Sequence, residues 1–180
     1  MFGYGSLLTP AGDGIAELVP RRLRGYRRIW NVAMDNSQAI PGYKQYLDPA
    51  TGTPPHCFVV FLNIVPDRDR DVNGAVFPVS GQELAALDRR ERNYDRIDVS
   101  SSLAEPMAGR VWTYVGSTAG VQRFHAGVHS NTAVISEAYA LAVRRGCASL
   151  GEDAEVEFQS MTDPPPCPIV PLRRVAVPVR

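Results

Sequence analysis

An imbalance of charge is missing from this sequence: Lys plus Arg and Asp plus Glu each number 19, for a formal net charge of +0. Without a global field, neither nucleic acid nor an anionic membrane surface is favoured as a partner, and a small-molecule ligand fits better. Cysteine is scarce. Cys57, Cys147 and Cys167 are odd in number, widely spaced and without a C-x-x-C pair, which argues against a disulfide framework or a zinc site and for reduced thiols. Histidine is limited to His56, His125 and His129. Its one metal-like spacing, His125-x-x-x-His129, is read as a solvated loop pair around Gly127, so no metal site is expected. No stretch approaches the roughly 20 apolar residues of a membrane span, and no basic n-region with an apolar run opens the chain. A cytoplasmic location is expected. Repeats and low-complexity tracts are also absent, so 180 residues at 44% hydrophobic content read as a single domain over 1–180. Its proline-rich end, about 160–180, is read as a strap, and a homodimer is compatible with the sequence.

What is present alternates between strands and helices. Residues 19–34, with Leu23, Tyr26, Ile29, Trp30, Val32 and Met34 around Gly25, predict a long strand bent at the glycine. Its arginines, Arg21, Arg22, Arg24, Arg27 and Arg28, are expected to alternate outward to solvent. The prolines and glycines of 39–56 predict a loop that covers a pocket. "CFVVFLNIV" at 57–65 and "VNGAVFPV" at 72–79 predict a hairpin around the solvated turn "PDRDRD". Ser80-Gly81-Gln82-Glu83 matches a capping box, so a helix should run from Gly81 to Arg92. "RIDVS" and "RVWTYV" read as strands, 116–132 as a loop, and 133–145 as a second helix capped by Gly146. The order makes an α+β domain.

Two features carry chemistry. On a helix at 100° per residue with Leu84 at zero, Leu87 falls at about −60° and Glu91 at about −20°, whereas Arg89, Arg90 and Arg92 point elsewhere. A carboxylate on an apolar stripe is costly unless it is paired, hydrogen-bonded or neutral, which makes Glu91 a candidate general base or a structural ion-pair partner. The turn Gly3-Tyr4-Gly5-Ser6-Leu7-Leu8 lets backbone amides approach a ligand closely and forms a small anion-binding concavity. It lacks the lysine of a P-loop, the third glycine of a dinucleotide fingerprint and the second glycine of a nucleophile elbow. By itself it is equally a tight turn packed on the core.

Taken together, Tyr4-Gly5-Ser6, Gly25-Tyr26-Arg27-Arg28, Val72-x-Gly74-x-x-Phe77, Leu87-Asp88-x-x-Glu91 and Tyr94-x-Arg96-x-x-Val99 occur in one order over residues 2–115. In that order they resemble the γ-glutamylcyclotransferase-like family. The resemblance implies a small mixed β-barrel flanked by helices, with a cavity at one end. It also implies conversion of a γ-glutamyl amide into 5-oxoproline and a free amine, without metal or organic cofactor. By the same resemblance Glu91 is the proton carrier and Tyr4, Gly5, Ser6 and Leu7 hold the glutamyl group. Tyr94 and Tyr139, the latter in Ser136-Glu137-Ala138-Tyr139, are implied to line the pocket. Members of the family have more strand before the Tyr-Gly-Ser turn, so this first strand is expected to be short or to begin inside a longer coding region. Two alternatives stay open at this point: a non-catalytic member that binds a small ligand in the same cavity, and a different amide-processing enzyme on the same fold.

Overall fold

The computed structural model of the chain describes residues 1–9 and 17–179, which leaves Arg180 of the expected strap outside the described residues. The fold is α+β, and two very long antiparallel strands organise it. Strand β1 (Phe2–Gly3) is followed by a 3-10 turn at Ser6–Leu8. Strands β2 (Val19–Asp35), β3 (Lys44–Leu47) and β4 (Phe58–Val76) come next, ahead of helix α1 (Gly81–Arg90). Strands β5 (Tyr94–Asp98) and β6 (Trp112–Gly116) form a hairpin, and α2 (Thr118–His129), β7 (Ala133–Ser136) and α3 (Glu137–Ala148) follow. The chain ends with α4 (Ala154–Ser160), β8 (Ile169–Val170) and β9 (Arg173–Ala176).

The main sheet is five-stranded and mixed. One edge of β4 carries β2 along its whole length. The other edge pairs with β7 in parallel at Phe58 and Val59 and with β1 antiparallel at Ala75 and Val76. Between those ends no strand among the described residues pairs with the edge, and side chains fill the gap. Asn63 Oδ1 accepts from the Gly116 amide at 2.7 Å, and Thr113 Oγ1 donates to the Phe2 carbonyl at 3.0 Å. These bonds draw the β5–β6 hairpin over the sheet and curl the whole into a small mixed barrel with helices outside. Phe2, Leu8, Leu23, Trp30, Val60, Leu62 and Ile64 are buried together at its centre.

The expected hairpin at 57–79 is instead one unbroken strand, β4. Only the ends of its "PDRDRD" segment keep partners in β2: pairing passes from Arg24 with Asp71 to Tyr26 with Pro66, so Asp67–Arg70 bulge out of the ladder opposite Gly25, which takes φ 78°. One residue of β2 thus stands opposite four of β4, and an irregularity of this kind bends the strands and inverts which side chains of β2 face inward. Leu23 is buried before the bulge, and Arg28, Trp30 and Val32 are buried after it. Arg28 therefore points inward, contrary to the expectation that all the arginines of this run face solvent. Its guanidinium donates to the backbone and side-chain oxygens of Asn73 and to Thr162 Oγ1, and lies 4.7 Å from the Phe158 ring centroid. Burial holds its pKa down at about 10. Three other arginines of β2 find acids in the same chain: Arg21 meets Glu105 at 3.3 Å, and Arg22 meets Glu157 and Arg27 meets Asp163, each at 2.5 Å. Arg22, Arg27 and Arg28 thereby clamp the C-terminal segment to the sheet.

Other expectations change for similar reasons. Residues 116–132 form helix α2 rather than a loop, with Ser117 as its cap. Gly127 lowers helix propensity but brings the helix onto β4, where a Cβ would lie 2.7 Å from Phe58 Cβ. His125 and His129 are thus exposed helical residues, and among the described residues no cluster of His, Cys, Asp and Glu could hold a metal ion. Residues 133–136 are strand β7, and Gly146 lies within α3 rather than capping it. Inside the expected loop 39–56, β3 pairs antiparallel with β9, with Lys44 opposite Ala176 and Tyr46 opposite Arg174. None of the described helices is long and apolar enough to cross a membrane.

Candidate active site

The capping box forms as its residues dictate: Ser80 Oγ accepts from the Glu83 amide, and Glu83 accepts from the Ser80 amide at 2.7 Å. The helix it starts ends sooner than the sequence pattern predicts. Glu91 is the C-cap of α1 rather than a residue within it, its amide donating to the Leu87 carbonyl at 2.8 Å while its carbonyl accepts from Tyr94 at 2.9 Å. That turn delivers the chain straight into β5. None of the residues of α1 is fully buried, so the helix is a peripheral arm, and it is the cap rather than an apolar stripe that carries Glu91 inward.

The end of α1 is held in place by a relay of polar groups. Tyr4 Oη donates to the Tyr114 carbonyl at 2.7 Å, Tyr114 Oη donates to Asp88 Oδ1 at 2.7 Å, and Asp88 meets Arg96 at 3.5 Å. The glycine turn and the glutamate-bearing helix end are thereby fixed to the same hairpin. The turn itself is wedged against α3, where Thr9 Oγ1 donates to the Ala142 carbonyl at 2.8 Å.

Tyr94 and Tyr139 seal the unpartnered edge of β4. Tyr94 Oη donates to the Leu62 carbonyl at 2.6 Å, and Tyr139 Oη accepts from the Leu62 amide at 3.2 Å. Each hydroxyl replaces a missing strand and satisfies a buried backbone group. Burial pushes the pKa of Tyr4, Tyr94 and Tyr139 upward, so all three are neutral phenols. Tyr4 and Tyr94 commit their protons to backbone carbonyls, whereas Tyr139 accepts from the Leu62 amide and also interacts with the Ser6 side chain.

All the residues singled out from the sequence come together here. Tyr4, Gly5, Ser6, Leu7, Glu91, Tyr94 and Tyr139 line one narrow recess of about 30 Å³, and Ser6, Glu91, Tyr94 and Tyr139 also line the cavity of about 360 Å³ in front of it. The recess accommodates an oxygen or a short polar group, and the cavity holds a longer chain. Amides that open a helical turn have no carbonyl inside the turn to bond, so those at Ser6 and Leu7 suit a negatively charged oxygen. Glu91 is the single carboxylate among the described residues lining either space. Its side chain is 11% exposed and forms an ion pair with Arg90, Nε lying 3.1 Å from Oε1.

Sequence reasoning missed Lys44, Tyr46, Phe61, Arg90 and Arg174, which complete the cavity. Burial lowers the Lys44 pKa to about 8, with Glu91 working against the fall and Arg174 and Arg90 adding to it. Its amine sits 4.2 Å from the Phe61 ring centroid. One compositional signal pointed to it: of 19 basic residues, Lys44 is the only lysine. A compact ammonium whose pKa falls on burial is not interchangeable with a guanidinium.

The sequence model of the family described as gamma-glutamyl cyclotransferase, AIG2-like, matches residues 1–131. Among solved structures, an uncharacterised protein from Homo sapiens is similar at 15% identity and a TM-score of 0.51, over 91% of this chain and 86% of that one. A structure of a gamma-glutamyl cyclotransferase is similar at 13% identity and a TM-score of 0.50, over 94% of this chain and 91% of the other. These likenesses concern the fold. No curated protein matches the sequence.

Proposed function

Because the chain belongs to the AIG2-like gamma-glutamyl cyclotransferase family, we propose that it cyclises a γ-glutamyl amide to 5-oxoproline and releases the free amine. The observation that carries this reading is the recess itself: the Tyr4–Leu7 turn and the carboxylate of Glu91 face each other across it. The substrate's γ-carbonyl oxygen lies toward the amides of the turn, and the rest of its chain lies in the larger cavity.

Glu91 first takes a proton from the substrate's α-ammonium. The freed amine nitrogen then attacks the γ-carbonyl carbon, a carbon–nitrogen bond forms, and the carbonyl electrons move onto oxygen beside the turn amides. When the oxyanion collapses, the bond to the departing amine breaks and Glu91 returns its proton to that nitrogen, while the ring nitrogen, which carries one proton too many after its attack, gives that proton up to the released amine, which departs as an ammonium. Because nucleophile and electrophile belong to one molecule, the protein's main task is to fold the glutamyl chain into a reactive conformer. A protein nucleophile is unnecessary, which agrees with a recess lined by backbone amides, neutral phenols and one carboxylate.

The test is release of 5-oxoproline from a panel of γ-glutamyl amino acids, peptides and amines. Glu91→Gln keeps size and hydrogen bonding but cannot cycle a proton, so kcat falls by about 10²–10⁴ with an unchanged thermal melting curve. Turnover of the variant at the wild-type rate overturns the assignment of Glu91.

A further inference from the structure

Lys44 lines the cavity of about 360 Å³ from β3, and Glu91 lines it from the end of α1. The lysine ammonium is seated on rings: Nζ lies 4.2 Å from the Phe61 centroid and 5.4 Å from that of Tyr43. Ring faces attract a cation but do not take its protons as an oxygen would. Among the described residues no carboxylate comes within ion-pair distance of it. The charged groups that act on it are Glu91, which favours its charge, and Arg174 and Arg90, which oppose it. Phe61 in turn meets Tyr139 edge-on at 5.0 Å, and Tyr139 lines the recess. Two ring contacts therefore lead from the ammonium to the recess wall.

Cyclisation moves more protons than one carboxylate carries at a time. The substrate's α-nitrogen starts as an ammonium and ends as a lactam N–H, so it sheds two protons, and the departing nitrogen gains two to leave as an ammonium. Glu91 moves one of them. Until the ring nitrogen loses the other, it is a better leaving group than the amine it must displace, and the intermediate falls back to substrate. Resting on the γ-glutamyl reading above, we propose that Lys44 is a second catalytic residue, in contact with the departing nitrogen, and relays this remaining proton. Its ammonium donates a proton to the departing nitrogen as the carbon–nitrogen bond breaks, and the neutral amine left behind takes the surplus proton from the ring nitrogen. Glu91 and Lys44 both end as they began, and no bond to the protein forms. Burial brings the Lys44 pKa down to about 8, so at pH 7 the group is protonated yet a stronger acid than an ordinary lysine, which suits a relay. A guanidinium is not deprotonated in proteins and could not serve. The only lysine among 19 basic residues thus stands where a releasable proton is needed.

Two γ-glutamyl amides of nearly one shape test the relay: the ethylamide and the 2,2,2-trifluoroethylamide, whose less basic amine leaves more readily and needs less help. Neither carries a charge on its leaving half. Lys44→Met is expected to lower 5-oxoproline release from the ethylamide by about 10²-fold or more, and from the trifluoroethylamide by less than about tenfold. Lys44→Arg, which keeps the charge but cannot give up a proton, is expected to be as slow as Lys44→Met, and it is read in the same way if thermal melting shows that Lys44→Met is unfolded. An equal fall for both amides means that the lysine only binds the substrate, for instance by its α-carboxylate, and overturns the proposal. Unchanged rates, or recovery to the wild-type rate in Lys44→Arg, overturn it too. If the panel above is turned over but neither amide is, the fastest panel member decides: a loss in Lys44→Arg matching that in Lys44→Met upholds the relay, and a wild-type rate overturns it. If wild type releases 5-oxoproline from no compound at all, the cyclotransferase reading itself fails and the role of Lys44 falls with it.

Discussion

Lys44 is a charge retained at the expense of stability, and Lys44→Met measures how much. A fall in pKa from 10.5 to about 8, at about 1.4 kcal/mol for each factor of ten, makes the charged amine about 3 kcal/mol less favourable in the fold than in the unfolded chain. Methionine keeps the aliphatic stem against Phe61 but gives up the cation–π contact, about 1 kcal/mol. The variant should therefore be about 2 kcal/mol more stable than wild type at pH 7. The sign of the pH dependence follows from linkage. Below pH 8 both states hold the proton and the whole penalty is present. Between pH 8 and 10.5 the unfolded chain binds more protons than the folded one, so wild-type stability rises with pH relative to the variant. By pH 9.5 the advantage should shrink by about 2 kcal/mol, leaving the two chains nearly equal. Urea unfolding of both at pH 7 and 9.5 is the assay, and taking the difference cancels tyrosine ionisation, which both share. A variant less stable at pH 7, or an advantage independent of pH, refutes the reasoning.

Asn73→Ala removes the side-chain oxygen that faces Arg28 and the amide that reaches the Ala154 carbonyl and Glu157. The guanidinium stays buried and keeps its bond to the backbone carbonyl of residue 73, so the loss should be about 1.5–3 kcal/mol in urea unfolding, and a loss under about 1 kcal/mol denies the Asn73 side chain its part in holding Arg28. Gly127→Ala sets two effects against each other. Helix propensity favours alanine by about 1 kcal/mol, but the new Cβ meets Phe58 Cβ at 2.7 Å and overpacking costs about 1–3 kcal/mol. A lower melting temperature is expected, and a higher one implies that α2 can shift away from β4 freely.

Local chemistry was legible wherever a short-range rule governed it. The capping box needed only Ser80 and Glu83 at the right spacing, and the glycine turn declared itself by composition. Glu91 was identified by an argument that the structure amends: the helix stops at Arg90, and the cap turn rather than the stripe sends the carboxylate inward. Helix α2 was misread because its glycines look like loop residues, whereas packing against Phe58 makes Gly127 fit. Arg28 was misassigned because one bulge at Gly25 inverts the alternation beyond it.

The sequence by itself determined the strand and helix chemistry, the ordered motifs of the family and the identity of the groups around the recess. Each of those rests on neighbours a few residues apart, or on motifs kept in order along the chain. The tertiary structure alone decided that Lys44 and Arg174 share a cavity with Glu91, and that the basic run of β2 grips the C-terminal segment. The pairing of β3 with β9 joins segments from opposite ends of the chain, and no local periodicity encodes which distant strand an edge will accept. Hydrogen-bonding edges are generic, and only the packed whole selects among them.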